Sequence, residues 1–125
     1  MSQLVGTSLA ANGSVVTRPK TRIETLSLSG ITYTRVTLEP GWRWSECVGP
    51  ELGLDRCPKR HRGYMVAGRL AVEIAGADPQ EFAAGDIYEF PPGHDAWVVG
   101  DEAVVHLDIG LDNLRNDEEG KTSGG

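Results

Sequence analysis

The stretch from Gly85 to Trp97 constrains the fold more than any other part of the chain. It reads Gly-Asp-Ile-Tyr-Glu-Phe-Pro-Pro-Gly-His-Asp-Ala-Trp. The opening glycine can take the positive φ of a turn, and residues 87–90 are rich in β formers. The double proline donates no hydrogen bond to a sheet and ends the strand, and the glycine after it reverses the chain. The stretch therefore predicts a strand, a rigid corner and a second strand, with His94 at the mouth of whatever the strands enclose.

Short strand-forming stretches separated by glycine or proline continue along the rest of the chain. Residues 31–39 are rich in β-branched and aromatic side chains, and residues 69–74 alternate in polarity. No stretch before residue 110 has a helical period of useful length, and 16 of the 125 residues are glycine. Many short strands with regular turn signals predict an all-β sandwich or barrel.

The length of the chain allows one domain with a substantial core. Residues 1–20 are mostly small and polar, and we expect a flexible arm with one strand near residues 14–17. The barrel is expected over residues 21–110. The polar residues 111–125 predict a disordered tail.

Charge and composition exclude several classes of function. The net charge is −6 and there is no basic cluster beyond residues 59–62, which argues against a nucleic-acid partner. No apolar run reaches the length of a membrane span, and the N-terminus lacks a signal-peptide pattern, so we expect a cytoplasmic protein without a membrane partner. In that compartment Cys47 and Cys57 are expected to be reduced thiols rather than a disulfide. The sequence contains no nucleotide fingerprint, phosphate-cradling glycine loop or Ser/His/Asp arrangement.

One sequence motif resembles the second motif of the cupins, which are small jelly-roll β-barrels. That motif is Gly, five residues, Pro, any residue, Gly, two residues and His. Gly85, Pro91 and Gly93 match it, but Ala96 stands at the histidine position. The resemblance covers about residues 21–110 and implies a single-domain, cupin-type jelly-roll β-barrel.

The first cupin motif is matched only in part. It reads His, any residue, His, three or four residues, Glu, six residues and Gly. Gly68 matches the closing glycine, and counting back places His61 at the glutamate position. With a three-residue spacer, Cys57 takes the second histidine position and Asp55 the first. The run PPGHDAWVVGDE also resembles a subgroup of small bacterial cupins of unassigned function, so the resemblance implies a fold and no activity.

Cys57 and His61 are candidate metal ligands. They are four residues apart, so in a strand they would lie on the same face. A thiolate and an imidazole suit zinc or another divalent transition metal better than magnesium. His94 is a candidate third ligand, and Cys47 or Glu46 a fourth. The alternative is that Cys57 is a small buried hydrophobe and His61 a hydrogen-bonded barrel residue.

The histidines are also candidate catalytic residues. An imidazole titrates near neutrality, so His61 or His94 could act as a general acid or base. The alternative for His94 is a loop residue whose ring bonds a turn carbonyl. His106 alternates with Val104 and Asp108, opposite three apolar residues, and the more apolar face of a strand is usually the inner one. We therefore expect His106 on the outside or in a polar part of the interface.

The candidate ligand-binding residues are three aromatic side chains and one acidic side chain of the predicted barrel. They are Trp44, Tyr64, Trp97 and Glu89. Aromatic side chains fill the cores of small barrels and also line ligand pockets. A carboxylate inside the cavity would need an arginine or histidine beside it.

These observations predict a small-molecule-binding, cupin-like protein with a degenerate metal site, acting as a sensor or accessory module. One alternative is a cupin-type enzyme, an isomerase, lyase or metal-dependent oxygenase, that uses His61 or His94. The missing histidine at Ala96 counts against an oxygenase. The other alternative is a non-catalytic interaction or structural barrel filled with side chains. We expect a homodimer, because open jelly rolls often cover an edge strand by pairing.

Overall fold

The computed structural model describes residues 3–111 and contains nine strands and three four-residue helices in that range. The strands are β1 (Ser14–Arg18), β2 (Thr21–Leu28), β3 (Ile31–Leu38), β4 (His61–Ala67), β5 (Arg69–Ile74), β6 (Gln80–Ala83), β7 (Ile87–Phe90), β8 (His94–Val98) and β9 (Val104–Leu111). The helices are α1 (Leu9–Asn12), α2 (Trp44–Cys47) and α3 (Gly49–Leu52). The prediction of an all-β fold is confirmed. Apart from its first residue, which ends β9, the predicted tail lies outside the described residues.

The strands form two antiparallel sheets that share one core. The larger sheet has the order β1-β2-β3-β9-β4-β7, and the smaller has the order β6-β5-β8. Both contribute to the same hydrophobic cluster: Leu38, Met65 and Val104 come from the larger sheet, and Leu70 and Val98 from the smaller. The core therefore lies between two sheets, which is the arrangement of a jelly roll.

The proline corner carries the chain from one sheet to the other. The prediction of a strand, a corner and a second strand is confirmed, because β7 ends at Phe90 and β8 begins at His94. Gly93 has a φ of 91°, a backbone conformation that favours glycine. Since β7 belongs to the larger sheet and β8 to the smaller, this corner connects the two sheets at the end of the barrel where His94 lies.

Backbone hydrogen bonds hold Cys57 against this corner. The Gly93 N–H donates to the Cys57 carbonyl at 2.7 Å, and the Cys57 N–H donates to the His94 carbonyl at 2.8 Å. Strand β4 begins at His61, so Cys57 and His61 are not in one strand. They come together because the chain before β4 pairs with the start of β8.

Two segments outside the proline corner, β1 and α2, also bear on the predictions from the sequence. The strand expected near residues 14–17 is present as β1, which pairs with β2 at the edge of the larger sheet. Trp44 was expected in an extended segment, but it begins the short helix α2. Asp95, in β8, accepts a hydrogen bond from the Ser45 N–H at 3.1 Å. It thus provides a partner for one of the first N–H groups of α2, which have none within the helix. Within residues 3–111, no helix is both long enough and apolar enough to span a membrane.

Candidate metal centre

A cavity of about 320 Å³ lies between the two sheets. Its wall is mostly apolar and includes Val36, Leu38, Trp42, Trp44, Leu70 and Phe90. Among the lining residues, Leu38 and Leu70 are only 1% and 2% exposed, whereas Val16 is 47% exposed, so the cavity is open to solvent beside Val16. The barrel is thus not filled by its side chains, and the volume lies within the range of small-molecule pockets.

Three metal-binding side chains converge in this cavity. The candidate ligand atoms of Cys57, His61 and His94 all lie within 4.8 Å of one another. Cys57 Sγ is 3.4 Å from His61 Nε2, and the centroids of the two imidazole rings are 5.3 Å apart. Cys57 and His94 are buried, and the His61 side chain is 26% exposed. The set predicted from the sequence is therefore brought together.

The Nδ1 atoms of both histidines are already engaged away from the cluster. His61 Nδ1 lies 2.8 Å from Asp108 Oδ2, and His94 Nδ1 lies 2.7 Å from the Pro91 carbonyl oxygen. A carbonyl oxygen can only accept, so Nδ1 of His94 carries a proton and Nε2 is the nitrogen left to bind. Metal-ligating histidines are usually held by this kind of contact from a carboxylate or carbonyl.

A second group of polar side chains stands behind His61. The Tyr88 hydroxyl donates to Asp108, and Tyr88 also lies 2.9 Å from His106 Nδ1. Because the hydroxyl gives its one proton to Asp108, Nδ1 of His106 must donate to the Tyr88 oxygen. No buried side-chain N or O atom in the described part of the chain is without a hydrogen-bond partner. Both oxygens of the Asp108 carboxylate therefore have a hydrogen-bond partner: Oδ1 contacts the Tyr88 hydroxyl and Oδ2 contacts His61 Nδ1.

The electrostatics of the cluster favour a charged thiolate and imidazolium. Burial would raise the pKa of Cys57, but the hydrogen bonds and charges of His61 and His94 outweigh it and lower that pKa to about 6. Burial would lower the pKa of His61, but the charge and hydrogen bond of Asp108, with the contact to Cys57, raise it to about 10. Despite its burial, Asp108 has a pKa well below its usual range because of the neighbouring histidines. Burial and the Asp108 carboxylate raise the pKa of Tyr88, which stays protonated.

The chemistry of the donor set fits a divalent transition metal. Two imidazoles and one thiolate are ligand types of zinc sites. The Nδ1 atom of each imidazole also contacts a carboxylate or a carbonyl, as in metal-ligating histidines. The cluster found within residues 3–111 includes neither Cys47 nor Glu46, which were candidate fourth ligands. Cys47, the last residue of α2, packs against the core, and Glu46 is exposed. Asp55, at the first histidine position of the cupin motif, is exposed as well.

Of the four predicted ligand-binding residues, only Trp44 lines the cavity. Trp97 follows the inward-facing Ala96 and so points to the other face of β8, where the Arg43 guanidinium lies 4.4 Å from its ring centroid. Tyr64 precedes the buried Met65, and it is 44% exposed on the outer face of β4. The expectation of one pocket shared by these side chains is therefore wrong.

The placement of Glu89 in the cavity is also wrong. Tyr88 and Phe90 take the inner face of β7, so Glu89 points out and accepts a hydrogen bond from Arg60 at 2.9 Å. His94 was expected at the mouth, but it is only 3% exposed and lies inside the barrel.

His106 was expected on the outside or in a polar part of the interface, and the structure excludes the outside position. It is buried, lines the cavity and bonds Tyr88. Asp108 lies on the same face of β9 as His106 and was not predicted as a site residue. Its spacing of two residues from His106 indicated that the two side chains share a face. The polarity rule failed because the outer face of β9 is the apolar one, with Ile109 42% exposed there.

Comparison with known proteins supports the architecture. No protein-family model and no curated protein sequence matches the chain. Among solved structures, an oxalate decarboxylase from Bacillus subtilis matches with a TM-score of 0.59 and 20% identity over 83% of this chain. This chain spans 29% of the length of that enzyme.

Two other similar structures are nearer in length to this chain. The Cnp3 cupin domain of Schizosaccharomyces pombe has a TM-score of 0.57 and 15% identity, covering 94% of this chain and 82% of its own. An RmlC-like cupin from Methanocaldococcus jannaschii, with a double-stranded β-helix fold, has a TM-score of 0.55 and 10% identity, covering 89% and 92%. The two-sheet barrel described above therefore has the fold of the cupin superfamily.

Proposed function

We propose that this chain is a metal-dependent, small-molecule-binding cupin whose metal centre is Cys57, His61 and His94. One observation carries the proposal. Both histidines are held through Nδ1, and one ring nitrogen of each lies within 4.8 Å of the other and of Cys57 Sγ, with His61 Nε2 at 3.4 Å from that sulfur. A buried thiol and two imidazoles with these supports have the pattern of metal ligands rather than of core packing.

The donor set favours zinc among the divalent transition metals. Thiolate and imidazole are its usual protein ligands, and three protein ligands leave a position for a bound molecule. When bound, zinc would supply Lewis-acid polarisation of a ligand oxygen. Asp108 orients His61, and the Pro91 carbonyl orients His94. The apolar wall with Trp42 and Leu38 would exclude water around the ligand.

The proposal places this binding site in a single barrel domain of a cytoplasmic homodimer, in which Val16 and Arg18 of β1 join residues 21–110 in lining the cavity. Support for a dimer comes from the outer face of the larger sheet, where Tyr64, Ile87 and Ile109 are 44%, 82% and 42% exposed. Tyr64 and Ile87 are cross-strand partners, and β7 is the edge strand of that sheet. We propose that the protein acts as a sensor or accessory module when it binds this ligand.

An enzyme is the second candidate, because Cys57, His61 and Asp108 stand in the order thiol, imidazole, carboxylate. The contacts are 3.4 Å from Sγ to Nε2 and 2.8 Å from Nδ1 to the carboxylate. This is the arrangement by which an imidazole activates a nucleophile and a carboxylate orients the imidazole. In that candidate Cys57 would attack a substrate in the cavity, and His61 or His94 would transfer protons.

Elemental analysis of untagged protein purified without chelator tests the proposal. We expect about one equivalent of zinc, iron, nickel or manganese per chain. Cys57→Ser, His61→Ala and His94→Ala should each lose the metal with an unchanged circular dichroism spectrum, whereas Cys47→Ser should keep it. Absence of metal after reconstitution, or full retention by His61→Ala, would refute the metal centre.

Reaction with a thiol reagent separates the two candidates. In metal-loaded protein a ligating Cys57 should be labelled slowly, and chelation should make labelling fast. Rapid labelling in protein that retains its metal would remove Cys57 from the ligand set and favour the enzyme. Cys47→Ser removes the other thiol and makes the reading unambiguous.

A further inference from the structure

The cavity is lined by two basic side chains and by no carboxylate within the described residues. The two basic residues are Arg18 and Lys59. Asp108 stands behind His61 and does not line the cavity. A cation in the cavity would therefore meet no carboxylate, whereas an anion would meet two basic side chains. The two basic side chains therefore favour an anionic group on the part of a ligand that lies beside them.

Arg18 lies on the part of the cavity wall that is open to solvent. Arg18 ends β1 and is 20% exposed through its side chain, and Val16 on the same strand is half exposed. Arg18 Nε donates to Glu51 at 3.0 Å, and Glu51 is 62% exposed outside the cavity. This bond uses one N–H of a guanidinium that has five, so Arg18 is oriented by Glu51 and still has donors for a ligand.

The part of the wall around Trp42 offers apolar surface, because its polar groups are paired with one another. Trp42 is 5% exposed, and its indole N–H donates to the Thr21 hydroxyl at 2.9 Å. That hydroxyl in turn donates to the Pro19 carbonyl at 2.7 Å. The polar groups of Trp42 and Thr21 are thus paired within the wall, and what Trp42 presents to the cavity is its ring.

The size of the cavity limits the ligand. About 320 Å³ is the liquid volume of about ten water molecules, which suits an organic molecule of on the order of ten non-hydrogen atoms. An aromatic ring or a branched aliphatic chain with one short polar arm has that size. A nucleotide or an oligosaccharide is too large.

We propose that the cavity binds a small carboxylic acid with an apolar body. The body packs on Trp42, Trp44 and Leu38, and the carboxylate faces Arg18 and Lys59. This inference rests on the proposed function only in taking the cavity as the ligand site. It does not require the metal, because the two basic residues are separate from Cys57, His61 and His94.

Calorimetric titration of the full chain with four matched probes tests the proposal. Phenylpropionate carries both the ring and the carboxylate, phenylpropanol replaces the charge by a hydroxyl, phenylpropylamine reverses it, and propionate lacks the ring. Phenylpropionate should bind about tenfold more tightly than phenylpropanol, the difference between a charge-assisted and a neutral hydrogen bond. The amine and propionate should bind more weakly than both.

Variants at Arg18 and Glu51 separate recognition from general stability. Arg18→Gln should reduce the preference for phenylpropionate to about twofold or less and leave phenylpropanol affinity unchanged. Glu51→Gln should keep or increase the preference, because it removes the competing carboxylate. Arg69→Gln is the matched control, since Arg69 pairs with Glu81 on the surface and does not line the cavity.

The outcomes distinguish this inference from the metal centre. If His61→Ala loses metal but keeps the acid preference, the inference stands independently of the metal. If the acid preference disappears in chelated protein and is unaffected by Arg18→Gln, the carboxylate binds elsewhere and the assignment to Arg18 is wrong. Failure of phenylpropionate to bind, or equal affinity for the acid and the alcohol in protein that holds its metal, overturns the inference and leaves the metal centre untouched.

Discussion

Asp108→Asn is the most informative single change, because it removes a charge that acts on Cys57 only through His61. The carboxylate stabilises the imidazolium, and the imidazolium stabilises the thiolate. Asparagine keeps nearly the same shape without the charge. The pKa of His61 should then fall from about 10, and the pKa of Cys57 should rise from about 6.

The distances give the size of the effect. A pKa of about 6 instead of an ordinary 9.0 stabilises the thiolate by about 4 kcal/mol. Unit charges 3.4 Å apart attract by about 5 kcal/mol at an effective dielectric constant of about 20. The positive charge on His61 is therefore large enough to account for the lowering. Without it, burial of Cys57 opposes ionisation, and we expect a pKa of about 8 or higher.

The assay is the ultraviolet absorbance of the thiolate as a function of pH in metal-stripped protein. A Cys47→Ser background isolates Cys57, and Cys57→Ser provides the blank. The thiolate absorbance of the parent should have its midpoint near pH 6. In the Asp108→Asn variant the midpoint should be at least about two pH units higher. An identical midpoint in both proteins, with unchanged circular dichroism, would refute the coupling.

Four further measurements test the site and the fold. Asp108→Asn should lower metal affinity by about 10- to 100-fold in competition with a chromophoric chelator, and unchanged affinity would remove Asp108 from the support of the centre. Leu38→Ala, at a position only 1% exposed, should lower the free energy of unfolding in urea by about 2–5 kcal/mol. Asp95→Asn should cost about 2 kcal/mol in the same assay, since Asp95 is 4% exposed and accepts from Arg43 and from Ser45. Gly63→Ala should cost about 3 kcal/mol or more, because its Cβ would collide with the backbone of β9; a loss below about 1 kcal/mol would contradict the packing.

The backbone of the site could be predicted because proline and glycine act locally. The strand ends at the double proline whatever the rest of the chain does, and Gly93 then turns it. His94 follows directly and enters the barrel. Cys57 was chosen for its spacing from His61, but its position depends on hydrogen bonds to Gly93 and His94, which are distant in sequence. The structure brings the three predicted side chains together, but the geometric reason given for their proximity was wrong.

The side chains that surround the site could not be assigned from polarity. For Tyr64 and Glu89, the inner face of each strand depends on which neighbour packs between the sheets, and the sequence does not state the pairing. His106 and Asp108 face inward although the other face of β9 is more apolar. Arg18 was missed because β1 was taken as part of a flexible arm, whereas it pairs with β2 and reaches the cavity.

The inverted polarity of β9 has a consequence for folding. The strand lies between β3 and β4, and a slip of one residue would exchange its two faces. The slipped strand would bury Val105, Leu107 and Ile109, so the hydrophobic effect alone favours the wrong alignment. In the language of energy landscapes, this strand is locally frustrated. His106 and Asp108 oppose the slip, since they would lose their hydrogen bonds in the barrel. The polar groups behind the candidate metal centre also favour the native alignment of the strand that carries them.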